Sequence, residues 1–231
     1  MFQGKMKAVT FSYDDGVVQD KRLIPLLDKY NLKATFNLNS GRFGEAKMLQ
    51  MGDKEMLWEK VLEEEVRELY RGHEVAAHTI NHKRLTEMTD EEVIYQVEED
   101  RLRLSELVGY EVKGMAYPCG GVNNDERVAK LIKERTGVKY ARTIKSSNSL
   151  ELQDNLYQFN PTIYHLSFEQ AFKLGQKLID AKPEKPMLLY LWGHGYEFDL
   201  DDTWGKFEEF CEFISGHDDI FYGTNKEVFG V

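Results

Sequence analysis

Residues 7–16 read KAVTFSYDDG. The run KAVTFSY is apolar, β-branched and aromatic, which is the composition of a strand. It ends on two adjacent carboxylates, Asp14 and Asp15, followed by Gly16. Asp and Gly are ordinary turn residues, so the stretch alone reads as a strand and a turn. In an extended segment, however, neighbouring side chains point to opposite faces. Two aspartates at a strand end can therefore take two different jobs, and the rest of the chain bears on whether they do.

Outward from this strand the pattern alternates. Helices are expected at 19–30, 58–70, 89–109, 125–137, 168–181 and 203–216, from apolar positions spaced by three and four. Strands are expected at 33–39, 73–78, 114–118, 139–144, 187–193 and 220–224. Thr89 or Asp90 caps the long third helix and Gly109 stops it. Residues 41–57, with Gly41, Gly44 and Gly52 among polar residues, read as a long loop or insertion. Strands alternating with helices imply a parallel sheet. About seven such units, with no repeat or linker between them, favour a closed (β/α) barrel and one domain over residues 1–231.

Bulk properties narrow the function. The 231 residues carry 30 basic and 40 acidic side chains, a formal charge of −10 without a basic run. That excludes a nucleic-acid footprint and disfavours an anionic membrane surface. Cys119 and Cys211 make neither a metal spacing nor a disulfide framework. A strand beginning almost at the first residue leaves no room for a leader, and no apolar run reaches membrane-spanning length, so a soluble, cytoplasmic protein is expected. Oligomeric state is not readable.

In parallel α/β barrels the chemistry sits at the C-terminal strand ends. Asp14, Asp15, His78, Cys119, Arg142 and His194 all fall there. In HTINH (78–82), His78 and His82 stand four apart. A helical turn opening there would put both imidazoles on one face, able to share a metal. Asp15 is the natural third ligand, which leaves Asp14 free to act as a base.

TFSYDDG and HTINH resemble the first two motifs of the polysaccharide deacetylase (NodB-homology) family, the fourth carbohydrate esterase family. MAYPCGG (115–121) resembles its third motif and LLYLWGHGYEF (188–198) its fifth, all in family order. The resemblance implies a distorted (β/α) barrel and hydrolysis of N-acetyl, less often O-acetyl, groups on an acetylated sugar or polysaccharide. It implies a divalent metal, usually zinc, on Asp15, His78 and His82. It further implies Asp14 as base, His194 as the acid that protonates the leaving amine, and the Cys119 N–H as an oxyanion donor.

Two departures stand out. The family's third motif usually carries an arginine that orients the base, and the matching position here is Ala116; Arg142, at the next strand end, is the candidate replacement. The fourth motif has no match in FNPTIYHLSFE, which leaves the partner of His194 unassigned, with His165 as one candidate. Tyr117 and Trp192 flank the rim as candidate sugar contacts, although a wall or core position suits each better than a specific sugar contact. Two other readings are a carbohydrate-binding protein that has lost turnover, and an amide hydrolase of the same fold with a non-sugar substrate.

Overall fold

The computed structural model describes residues 2–231. Its strands are β1 (Lys7–Asp14), β2 (Ala34–Leu38), β3 (Ala46–Met51), β4 (Lys54–Glu59), β5 (Glu74–Ala77), β6 (Gly114–Ala116), β7 (Tyr140–Arg142), β8 (Ile163–Tyr164), β9 (Met187–His194) and β10 (Ile220–Tyr222). The helices are α1 (Asp20–Lys29), α2 (Val66–Leu69), α3 (Asp90–Val108), α4 (Glu126–Arg135), α5 (Phe168–Asp180), α6 (Glu197–Leu200), α7 (Trp204–Ile214) and α8 (Asn225–Phe229).

Seven strands pair side by side in the order β7-β6-β5-β2-β1-β9-β8, and β10 pairs with the start of β1. Every pair in this sheet is parallel. The sheet curls into a half-barrel, which is the distorted (β/α) barrel of about seven parallel strands that the resemblance implies, without the full closure that the alternation alone favours. Between its edges the segment before β8 makes a single bridge, Arg142 to Phe159, instead of a continuous ladder.

The strand period of two gives the sheet two unlike faces. Val9, Phe11 and Tyr13 of β1, with Phe36, Val75, Met115, Leu189 and Leu191, pack outward against the helices. Burying each large apolar side chain contributes roughly 1.5–3 kcal/mol. The inward positions are polar: Thr10, Ser12, Thr35, Asn37, Glu74 and Arg142 are all buried. Buried polar groups are tolerated mainly when paired. Each of these side chains makes at least one hydrogen bond, although Asn37 Oδ1 has no partner among the described residues. Thr10 donates to Asn225 Oδ1 at 2.9 Å, Thr35 to Glu74 at 2.7 Å and Tyr140 to Glu74 at 3.0 Å. Asp14 is the last inward position of β1.

α3 follows its sequence signals. Thr89 and Glu92 form a reciprocal capping box, and Gly109 ends the helix in the left-handed region at φ 78°. Residues 41–57 depart from expectation: β3 and β4 form an antiparallel hairpin there. The helix expected over 58–70 is also corrected. Trp58 and Glu59 end β4, a 3-10 turn covers Glu63–Glu65, and the helix begins only at Val66. Among the described residues no helix is long and apolar enough to cross a membrane.

Candidate active site

Asp14, Asp15, His78, His82, Tyr117, Cys119, Trp192 and His194 line one pocket of about 200 Å³, together with Gly120, Ile144 and Tyr196. Strand alternation alone would send Asp14 inward and Asp15 outward. The backbone prevents this: Asp15 has φ 81° and Gly16 φ 64°, so the chain turns back and both carboxylates face the pocket. Thr79, His82 and Cys119 also have positive φ, at 67°, 52° and 68°. Such strain in non-glycine residues concentrates where a site over-determines the backbone.

The imidazoles of His78 and His82 are 4.9 Å apart between centroids. No helical turn achieves this; residues 78–82 are irregular, and the left-handed Thr79 and His82 replace the i, i+4 geometry expected. One ligand atom from each of Asp15, His78 and His82 lies within 4.8 Å of the other two. His78 Nδ1 lies 2.8 Å from the Ala116 carbonyl. A carbonyl can only accept, so Nδ1 carries the proton and Nε2 keeps its lone pair. The His78 N–H donates to Asp100 at 2.9 Å, which tethers this loop to α3. Asp15 Oδ1 is buried and has no hydrogen-bond partner among the described residues. It lies 3.6 Å from His82 Nε2. A carboxylate oxygen with no hydrogen bond, 3.5 Å from the Lys60 ammonium, beside two neutral imidazoles is a donor set that suits a zinc-type ion.

Burial pulls both histidines below their ordinary pKa, and the neighbouring His78 adds to this at His82, which falls to about 4. Both rings are therefore neutral near pH 7, as ligands must be. Burial opposes the charge of Asp15, but Lys60, His82, His194 and His78 outweigh it and hold the carboxyl well below its usual range.

Asp14 is held from two sides. Arg142 Nη2 donates to both carboxylate oxygens, at 2.5 Å to Oδ2, and Asn37 Nδ2 donates to Oδ1 at 2.8 Å. Arg142 is itself fixed, donating to Ser12 Oγ at 3.2 Å and to the Thr143 carbonyl at 3.0 Å. Its guanidinium lies 4.7 Å from the centre of the Trp192 ring. Burial would raise Asp14, but Arg142, then His78 and His194, hold it below the usual carboxylate value.

His194 has a partner that sequence reasoning missed. Glu197, three residues on in HGYE, places Oε2 3.1 Å from His194 Nδ1 and accepts the His194 N–H at 2.9 Å. His165 does not take this role; its Nε2 lies 2.8 Å from the same Glu197 oxygen and so holds the carboxylate from behind. Gly193 is required here, because a Cβ would come within 2.1 Å of the His165 ring. Burial disfavours the His194 cation, yet Glu197, Asp15 and Asp14 lift the ring to about 9. It is therefore protonated at neutral pH.

Lys60 was also missed. It follows β4, is 1% exposed, and donates to the Asp15 carbonyl and to Asn39 Oδ1 at 2.7 Å. Asn39 in turn donates to the carbonyls of His78 and Thr79 at 2.5 and 2.8 Å. One lysine thus ties together the turns that carry Asp15 and His78. Tyr117 and Trp192 form walls rather than exposed stacking faces. Tyr117 is fully buried with its hydroxyl on the Tyr157 carbonyl at 2.7 Å, and one face of Trp192 is covered by Arg142. Tyr196 is the half-buried aromatic beside His194, with centroids 5.2 Å apart.

Residues 3–141 match the family profile described as polysaccharide deacetylase. No curated protein sequence matches the chain. Among solved structures, it is similar to the Xyl-CE4 domain of a multidomain xylanase from the hindgut metagenome of Trinervitermes trinervoides. That match has 15% identity and a TM-score of 0.60, over 97% of this chain and 90% of that one. The deacetylase PplD from Streptococcus pyogenes, solved in complex with acetate, is similar at 19% identity and a TM-score of 0.51, over 64% of this chain. BC0361, a polysaccharide deacetylase from Bacillus cereus, is similar at 17% identity and a TM-score of 0.51, also over 64%. This chain spans 61% and 44% of those two proteins. At such identities the likeness is one of fold.

Proposed function

Because the chain belongs to the polysaccharide deacetylase family, we propose that it removes acetyl groups from an N-acetylated sugar by metal-assisted hydrolysis. The observation that carries this reading is one pocket holding an ionised Asp14, a protonated His194 and the Asp15, His78 and His82 cluster. A carbohydrate-binding protein without turnover has no use for an acid and a base poised in opposite protonation states.

Asp15, His78 and His82 would hold the ion, zinc by their donor set. When bound, it supplies a Lewis acid that acidifies the attacking water and polarises the acetyl carbonyl. The chain's own residues do the rest. Asp14, kept ionised and immobile by Arg142 and Asn37, takes a proton from the water as its oxygen adds to the carbonyl carbon. The Cys119 N–H donates to the oxyanion that forms, a contact that gains strength as charge develops. His194 Nε2 gives its proton to the nitrogen as the C–N bond breaks, because an amide leaves poorly unless protonated. The products are acetate and a free amine. An O-acetyl ester would need His194 less, since an alkoxide leaves more readily than an amide anion. The zinc assignment and the preference for N-acetyl substrates rest on this chemistry.

The test is acetate release from a panel of N- and O-acetylated sugars by zinc-loaded wild type and Asp14→Asn. The variant should keep its metal and lose about 10²–10⁴-fold in kcat, the range for removal of a general base. Undiminished acetate release by Asp14→Asn would remove Asp14 from the reaction.

A further inference from the structure

The N–H assigned to the oxyanion belongs to the peptide between Pro118 and Cys119. Such a donor is useful only when it is aimed at the place where charge develops. The strand does not set that aim. β6 ends at Ala116, and the last ladder bond beyond it runs from the Tyr117 N–H to the Arg142 carbonyl at 3.0 Å. Cys119 then sits in the left-handed region at φ 68°. A non-glycine residue keeps that conformation only where its surroundings impose it.

Asn123 supplies the constraint. It is 1% exposed, and its Nδ2 donates to the Cys119 carbonyl at 2.8 Å and to the Tyr117 carbonyl at 3.3 Å. Those two carbonyls belong to the peptides on either side of the Pro118–Cys119 peptide. Peptides are planar, so only the φ and ψ of Pro118 and Cys119 lie between the two clamped groups. The proline ring locks one of these four angles. The Cys119 N–H makes no hydrogen bond among the described residues, so it stays free for a ligand in the pocket. Asn123 is held in turn by other amides. Its Oδ1 accepts from Asn124 Nδ2 at 2.8 Å, and Asn124 Oδ1 accepts from Gln158 Nε2 at 3.0 Å. A carbonyl can only accept, which fixes the end of the Asn123 amide that faces the loop. The loop has two further ties. Arg84 Nη2 donates to the Gly120 carbonyl at 3.2 Å, and Cys119 Sγ to the His82 carbonyl at 3.4 Å. Neither tie reaches the carbonyls that flank the donor.

We propose that Asn123 is a positioning residue for the reaction, its amide aiming the Cys119 N–H at the oxyanion. This rests on the deacetylase reading above. Asn123 does not line the catalytic pocket, so it acts through the peptide it clamps and not on the substrate. The contact it aims gains strength only as charge develops on the oxygen. Its loss should therefore appear in kcat and in the binding of a tetrahedral anion, and spare KM.

The test compares zinc-loaded wild type, Asn123→Asp and Asn124→Leu, using kinetics and two calorimetric probes. Methylphosphonate is a tetrahedral anion that carries the acetyl methyl group. Imidazole takes an open metal position and offers no anionic oxygen. Asn123→Asp keeps the shape and sets an oxygen against the two carbonyls in place of the N–H donors. Asn124→Leu, at a half-buried position, leaves Asn123 in place and removes the donor to its Oδ1. On the N-acetylated sugar that wild type turns over fastest, Asn123→Asp should lose about tenfold or more in kcat, with about 10²–10³-fold, the worth of a whole oxyanion donor, as the limit. Its KM should stay within about twofold of wild type. Methylphosphonate affinity should fall by the same factor as kcat, while imidazole affinity and zinc content hold. Asn124→Leu should move in the same sense by about threefold, a fraction of one neutral hydrogen bond, and it decides the matter if Asn123→Asp does not fold. A loss confined to KM, an equal loss for both probes, or undiminished methylphosphonate binding overturns the positioning role. Absence of acetate from every sugar overturns the deacetylase reading instead. The two probes then still decide the clamp: a loss for methylphosphonate alone supports it, and any other pattern overturns it.

Discussion

Asp14 and His194 stand in one pocket with opposite charges, and at each one neighbour contributes more than any other to that state. For His194 that neighbour is Glu197, which with Asp15 and Asp14 counters burial and lifts the ring to about 9. As the proposed acid, His194 works in its protonated form, so activity should fall on the alkaline side as that proton is lost. Glu197→Gln keeps the shape and removes the charge. The ring pKa then drops, and the alkaline limb of the pH–rate profile should move down by about 1–2 units. An unmoved limb would detach Glu197 from the acid. For Asp14 the neighbour is Arg142 and the sign is reversed. The working form is ionised, and the guanidinium holds its pKa down. Arg142→Gln should therefore raise the acidic limb and lower kcat while leaving metal content at one ion per chain. An unchanged acidic limb would make Arg142 a structural group only. Arg142 could be singled out from sequence because a strand-end arginine is conspicuous in a barrel whose third motif carries alanine. Glu197 could not be assigned so easily. A glutamate three residues past a histidine has meaning only once the turn after β9 folds it back.

Among the elements, the hairpin of β3 and β4 marks the limit of periodicity as a guide. The sheet strands announce themselves because one face meets the helices and the alternation is enforced by burial. The hairpin has little to bury: Met48 and Leu57, paired across it, are 59% and 51% exposed. Trp58 is the one buried residue of its two strands, and Gly52, with Gly41 and Gly44 just before it, reads as a loop. The spacing of Trp58, Val61, Val66 and Tyr70 imitates a helix, although these residues enter the core from a strand, an extended segment and a single helical turn. The consequence for the site is Lys60, which reads as a solvated charge before an acidic run. The hairpin buries it against Asp15. Lys60→Met should release the Asp15 turn and weaken zinc binding by about tenfold or more, as groups outside the ligand set commonly do. Competition with a chromophoric chelator measures this, and equal or tighter binding by the variant would contradict the anchoring role.

For the molecule as a whole, the parallel sheet and the rim of chemistry at its C-terminal edge were legible, because alternation and strand-end residues are local signals. Closure was not. β8 is two residues long, and whether the sheet's edges meet is decided by residues 143–162, which carry no strand pattern. The account rests on one claim, that Asp15, His78 and His82 hold the ion that makes this pocket hydrolytic. The direct measurement is acetate release from an N-acetylated oligosaccharide by chelator-stripped protein titrated with zinc, with bound metal counted at each point. Activity should be absent at the start, rise linearly and stop at one ion per chain, and His78→Ala should neither retain the ion nor respond to it. Full activity in the stripped protein, or one tightly held ion per chain in His78→Ala, would contradict the claim.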